Sequence, residues 1–182
     1  DGSPRNDVHD NFPTDGSVLK VTDGGATSGI DLTLHPATTV SGHVYAGAGT
    51  GTPLDGICAN AYGESATTGA DGSYTIKHIK PGSGFVVSFS DCNAPATYQP
   101  QYYDGVTNYE SATVISPTLD APATGIDAHL VPGASFSGTA QDADGNAITT
   151  KDICVFAQGP GFGEAQTDAD GHYKIGGLPA GS

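Results

Sequence analysis

Apolar residues along this chain come in short bursts of four to six, separated by glycine, proline and polar runs, and none sustains the spacing of a long amphipathic helix. Alternation with period two recurs instead. In TTVSGHVY (38–45) Val40 and Val44 share one face, while Ser41, His43 and Tyr45 take the other. ICANAY (57–62) is the next strand. SYTIKHI (73–79) buries Tyr74 and Ile76 after an Asp71-Gly72 turn, a dipeptide that tolerates the positive φ of a tight hairpin. FVVSFS (85–90) is apolar on both faces over its first half, as a central strand would be. ATVI (112–115) and GIDAHL (125–130) close the set, the latter with Ile126, Ala128 and Leu130 facing in. Six or seven short antiparallel strands joined by Gly/Pro turns predict an all-β, two-sheet sandwich. The composition agrees, with 27 Gly, 12 Pro and neither Met nor Trp.

An internal repeat then divides the chain. SGIDLTLHP (28–36) returns as TGIDAHLVP (124–132), an offset of 96; VSG (40–42) returns as FSG (136–138), and GICANAYG (56–63) as DICVFAQG (152–159). Three residues are then inserted, and GADGSYTIKHIKPGS (69–83) faces DADGHYKIGGLPAGS (168–182) at offset 99. This predicts the tail of one module at 1–35, a complete module at 36–130 and the first half of another at 131–182. The stretch GFVVSFSDCNAPA (84–96) has no counterpart in either partial module, and it contains Cys92. Cys58 and Cys92 therefore form the pair of the complete module. Cys154 stands where Cys58 does, which places its partner beyond Ser182; a functional free thiol and an interchain bridge are the alternatives.

A disulfide within the module implies an oxidising, secreted or cell-surface setting. By the chain-entropy estimate it contributes on the order of 3 kcal/mol, which is substantial for a module of this size.

The order VSGHVY, GICANAYG, TTGADGSYTIKHIKPGS, FVVSFSDCN, YYDG, GIDAHL resembles the carboxypeptidase regulatory-like domain. That family has a transthyretin-like (prealbumin-like) Greek-key sandwich and occurs in tandem in secreted bacterial proteins. The resemblance spans essentially the whole chain. It implies a stalk, spacer, adhesion or carbohydrate-contacting role beside some other active domain. Related collagen-adhesin B-type domains are braced by Lys-Asn isopeptide bonds. The first strand of the complete module has no Lys, and the disulfide takes that place.

Charge and motifs narrow the function classes. Six basic against twenty acidic side chains give a formal charge of −14, which repels phosphate backbones and anionic lipid; nucleic acid and membrane are not expected partners. No apolar run reaches the length of a membrane span, and the opening DGSPRNDVHD suggests a mature or excised piece. No Asn-x-Ser/Thr acceptor occurs. The six histidines (His9, His35, His43, His78, His129, His172) are scattered and lack ligand spacing, and there is no Gly-x-Ser-x-Gly elbow and no phosphate loop. Neither catalysis nor a cofactor is expected. DADG at 142–145 and 168–171 opens like a calcium loop but stops after two ligands, so hairpin turns are expected there and no metal site.

The remaining candidate surface is ATYQPQYYDGVTNYES (96–111), where Tyr98, Tyr102, Tyr103 and Tyr109 gather half of the eight tyrosines on one loop. Flat rings with polar tips suit sugar stacking or a protein interface; covering the sandwich edge is the plainer use. Tyr102, Tyr103 and Tyr109 align with Asn6, Asp7 and Pro13, so the fold itself does not require them. The expected function is a non-catalytic extracellular structural module whose partners are neighbouring modules or copies of itself. A fibre could form by strand complementation, since residues 1–35 resemble the missing last strands. A carbohydrate-binding module, or an accessory domain of a secreted peptidase or hydrolase, is the alternative.

Overall fold

A computed structural model describes residues 23–26, 28, 35–49, 51–149, 152–159 and 162–180. The chain divides into two compact units, Asp1–Pro36 and Ala37–Ser182, with no further break at 130/131. The expected module tail at 1–35 lies almost wholly outside the described residues. So do the complementing strands expected there.

The described residues of the second unit form twelve strands: β1 (Thr38–Ala46), β2 (Thr52–Pro53), β3 (Ile57–Ala61), β4 (Glu64–Thr67), β5 (Ser73–Ile79), β6 (Ser88–Asp91), β7 (Gln101–Tyr102), β8 (Ala128–Leu130), β9 (Ala134–Thr139), β10 (Cys154–Gln158), β11 (Phe162–Gln166) and β12 (His172–Leu178). The only helical turn among the described residues is a 3₁₀ turn, Tyr109–Ser111, capped by Asn108, whose side-chain oxygen accepts from Glu110 N. No helix there is long and apolar enough to cross a membrane.

The first eight strands form two four-stranded sheets. One joins β2, β1, β5 and β8; the other runs β4-β3-β6-β7. Alternation decides which side chains turn inward: Val40 and Val44 from β1, Tyr74 and Ile76 from β5 and Leu130 from β8 meet Ile57, Ala59, Ala61 and Phe89 of the other sheet in one core. Phe89 packs edge-on to Tyr74 across the two sheets, with ring centroids 5.7 Å apart. The Tyr74 hydroxyl donates to Ile126 O at 2.7 Å, and burial pushes its phenol well above the usual tyrosine range. The molecule is all-β, and two sheets sharing a core fit a β-sandwich.

Three expectations about strands need correction. β8 runs parallel to β1 (Val44↔Ala128, Ala46↔Leu130), so the set is not wholly antiparallel. Residues 112–115 form no strand; Ile115 makes a single bridge to Phe85, while Val114 is exposed. The run 85–90 buries one face only, through Phe85, Val87 and Phe89, and becomes a strand at Ser88.

The strands after Val131 repeat these pairings. β9 and β12 pair antiparallel with Phe136↔Ile175, Gly138↔Tyr173 and a register shift before Leu178↔Ala134; β1 and β5 pair with Val40↔Ile76, Gly42↔Tyr74 and a shift before Thr38↔Ile79. The hairpin β10-β11 pairs Cys154↔Gln166, as β3-β4 pairs Cys58↔Thr67. Sequence offsets of 96 and 99 relate every one of these pairs. The junction is held by backbone bonds: Gln99 N donates to Val131 O at 3.0 Å and Gly133 N to Thr97 O at 2.8 Å.

Gly42 and its counterpart Gly138 separate two kinds of glycine requirement. A methyl group on Gly42 would overlap the backbone carbonyl of Ile126, the acceptor of the Tyr74 hydroxyl; on Gly138 it would meet only the end of the Tyr173 ring. Backbone cannot yield as a ring can. Gly42→Ala should therefore cost about 1–3 kcal/mol in urea denaturation and Gly138→Ala less than about 1 kcal/mol. Equal costs would contradict the close approach of 126 to β1.

Candidate functional site

β3 and β6 lie side by side with Cys58 opposite Ser90, which brings Cys92, just past β6, to a Cα–Cα distance of 5.7 Å from Cys58. The two are joined in a disulfide. Cys154, on β10, is a free and exposed thiol. It sits as Cys58 does: its Sγ is 3.9 Å from Nε2 of its cross-strand partner Gln166, and the Cys58 Sγ is 3.9 Å from Oγ1 of its partner Thr67.

The surroundings of the two cysteines differ. β3 is flanked by β4 and β6, whereas β10 pairs only with β11 among the described residues. The inward side chains of β3, Ile57, Ala59 and Ala61, are buried; their counterparts Ile153, Val155 and Ala157 are half-buried. Val40 has no exposed surface, while Phe136 in the equivalent place is 42% exposed. Phe156 and Phe162 are 58% and 60% exposed and face one another at 6.2 Å across the hairpin. A cleft of about 1110 Å³ opens here, with Asn93, Pro95, Tyr98, Cys154, Phe162 and Tyr173 in its walls.

The four tyrosines do not form one surface. Tyr98 and Tyr103 pack against the core, and Tyr103 N donates to Val87 O at 2.8 Å. Tyr102, half-buried on β7, and Tyr109, exposed on the 3₁₀ turn, meet edge-on at 5.8 Å and are not packed against the core. Asp91 organises the start of this loop: its Oδ2 accepts from Thr97 N at 2.7 Å and its Oδ1 from Asn93 N at 3.0 Å. Two of the tyrosines therefore cover the sandwich, leaving Tyr102 and Tyr109 as the displayed pair.

The acidic turns are occupied by their own backbone. Oδ1 of Asp71 accepts from Ser73 N and Oγ, Oδ1 of Asp142 from Asp144 N and Asn146 N, and Oδ1 of Asp168 from Asp170 N and His172 N. These bonds favour the carboxylate form. The Ser73 hydroxyl holds Asp71 below the usual range, the Asn146 amide does so for Asp142, and the His172 amide for Asp168. Asp168, Asp170 and His172 bring ligand atoms within 4.8 Å of one another, all three exposed. One Asp168 oxygen is already committed to the turn.

No protein-family model, no curated protein and no solved structure matches the chain.

The five described histidines are exposed, four of them on strands and His35 in the irregular segment before β1. His43, His78 and His172 each have one carboxylate within 4 Å: Asp127 at 3.9 Å, Glu64 at 3.9 Å and Asp168 at 3.6 Å. His43, Tyr45 and His129 stack in a row, with centroids 6.0 and 5.4 Å apart. Alternation along β1 already puts His43 and Tyr45 on one face. The third ring joins through the parallel register Tyr45↔His129, which no sequence period reveals.

Proposed function

We propose that the chain is a non-catalytic structural segment of an extracellular tandem-repeat surface or filament protein, a stalk or spacer built from carboxypeptidase regulatory-like modules of Greek-key topology. The observation that carries this reading is the repeated register, in which β9-β12 and β10-β11 reproduce β1-β5 and β3-β4 down to the same bulge. A modular array predicts such repetition, because each unit solves the same packing problem with the same pairs. The disulfide supports an oxidising compartment. A net charge of −14 keeps successive modules from clumping.

A stalk also needs a stiff junction. Val131 and Gly133 are bonded to the 97–99 segment, and Gln99 Nε2 donates to Pro132 O at 3.1 Å, so the link between the two sets of strands is tied at three points. Residual dipolar couplings test this directly. Residues 37–130 and 134–180 should fit one alignment tensor; two independent tensors would describe beads on a flexible string and remove the spacer reading.

A further inference from the structure

Three glycines mark the place where the two sets of strands meet, and the repeat shows that the fold of a strand pair does not require them. Gly133, Gly176 and Gly177 stand where the first copy has Ala37, Lys77 and His78. The bulge is the same in both copies: Ile79 and Leu178 follow the same register shift, and His78 takes a φ of +63° where Gly177 takes +70°. Side chains can therefore occupy both bulge positions, with some strain at the second. Lys77 and His78 stay exposed although β6 and β7 follow them, so the strands that come later in a module do not fill this place. The glycines answer to a neighbour instead.

That neighbour is the segment 96–98. A methyl group on Gly176 would overlap the carbonyl of Ala96, and one on Gly177 would press on the carbonyl oxygen of Tyr98 at 2.8 Å and on the Ala96 methyl at 3.1 Å. On Gly133 it would run into the backbone of Gly177 itself. The segment is held from both sides. Asp91 Oδ2 accepts from Thr97 N at 2.7 Å and from Tyr98 N at 3.3 Å, while Thr97 O accepts from Gly133 N at 2.8 Å. Backbone thus packs on backbone, an approach that glycine allows and a side chain forbids.

We infer that Gly133, Gly176 and Gly177 form a side-chain-free seat for the backbone of residues 96–98, and that the residues at this seat decide whether two successive modules lock together. The occupant is the loop start of the preceding module, with a small side chain at the place of Ala96 and its amides already tied as Asp91 ties those of Thr97 and Tyr98. A module with Gly-Gly at the bulge accepts it. One with Lys-His, as at 77–78, turns it away by the bulk of two side chains. Neighbouring domains move freely unless their interface prevents it, so this dipeptide sets stiffness junction by junction and leaves the sandwich core unchanged.

The test gives β12 the residues of its own counterpart, Gly176→Lys with Gly177→His, in the whole chain. The first copy already carries this pair at the same bulge, so β12 should keep its pairing with β9 while the seat is filled. Residues 37–130 and 134–180, which share one alignment tensor in the unaltered chain, should then need two. The amides of Gln99 and Gly133 should exchange at least about tenfold faster, while β5 and the hairpin β10-β11 stay as protected as before. Ala96→Leu obstructs the seat from the other side, leaves β12 untouched and should separate the tensors in the same way; it decides alone if the double variant loses the β9-β12 pairing. Lys77→Gly with His78→Gly should leave one tensor. A single tensor with unchanged exchange at Gln99 and Gly133 in the obstructed variants would overturn the inference. It rests on the stalk reading of the previous section, and the failures are distinguishable: two tensors in the unaltered chain reject stalk and seat together, whereas one tensor throughout rejects the seat and leaves the stalk standing.

Discussion

Phe89→Ala should destabilise the unit Ala37–Ser182 by about 3–5 kcal/mol, read from the urea midpoint at constant slope. Phe89 has no exposed surface and is the largest of the fully buried side chains. It stands on β6 and meets the ring of Tyr74 on β5, so its truncation opens a void between the two sheets instead of at an edge that could collapse. The loss also strips the packing from Tyr74, whose hydroxyl is tied to Ile126 O and thereby to the segment that leads into β8. Phe89→Leu, which keeps most of the apolar volume, should recover about half of the loss. A cost below about 1 kcal/mol for the alanine variant would mean that the ring does not lie between the sheets.

The inward face was legible wherever alternation alone decides it. Val40 and Val44, Tyr74 and Ile76, and Ile126, Ala128 and Leu130 follow the period-two pattern, and all are buried. Strand direction was not legible, because the same alternation serves a parallel or an antiparallel neighbour; β8 enters parallel to β1 after a long connection. The bulge that shifts β1 against β5 was equally hidden. It appears at His78, which takes a φ of +63°, so that Ile79 turns inward only three residues after Ile76. For 112–115 a run of β-formers misled, since Val114 has no sheet to face once Ile115 has made its one bridge.

The candidate site was legible through the repeat more than through any motif. Aligning the copies singles out Cys154, the Asp71/Asp170 turn and the tyrosine loop as places where they agree or differ. It does not reveal that Asp91 fixes the loop start, or that Tyr98 and Tyr103 are drawn against the core while Tyr102 and Tyr109 stay outside. A tyrosine's two faces suit both uses, and only the backbone path decides between them.

Removing the Cys58–Cys92 bridge should lower stability by about 3–4 kcal/mol, because the bond closes a loop of sequence separation 34 and so restricts the unfolded chain. Thermal melting in reductant, or of Cys58→Ser/Cys92→Ser, should fall on the order of 10 °C below the oxidised protein. Cys154→Ser belongs in the background of every comparison, since an exposed thiol would otherwise exchange into the pair during heating. The bridge does more than shorten a loop. It clamps β3 to β6 near the Asp91 turn, so its loss should loosen the 93–98 segment before the core, and the amides of Thr97 and Tyr98, which donate to Asp91, should exchange first. Alkylation under native, non-reducing conditions supplies the control, with one label per chain expected, on Cys154. Three labels, or a melting point indifferent to reductant, would show that the sulfurs are not joined in solution.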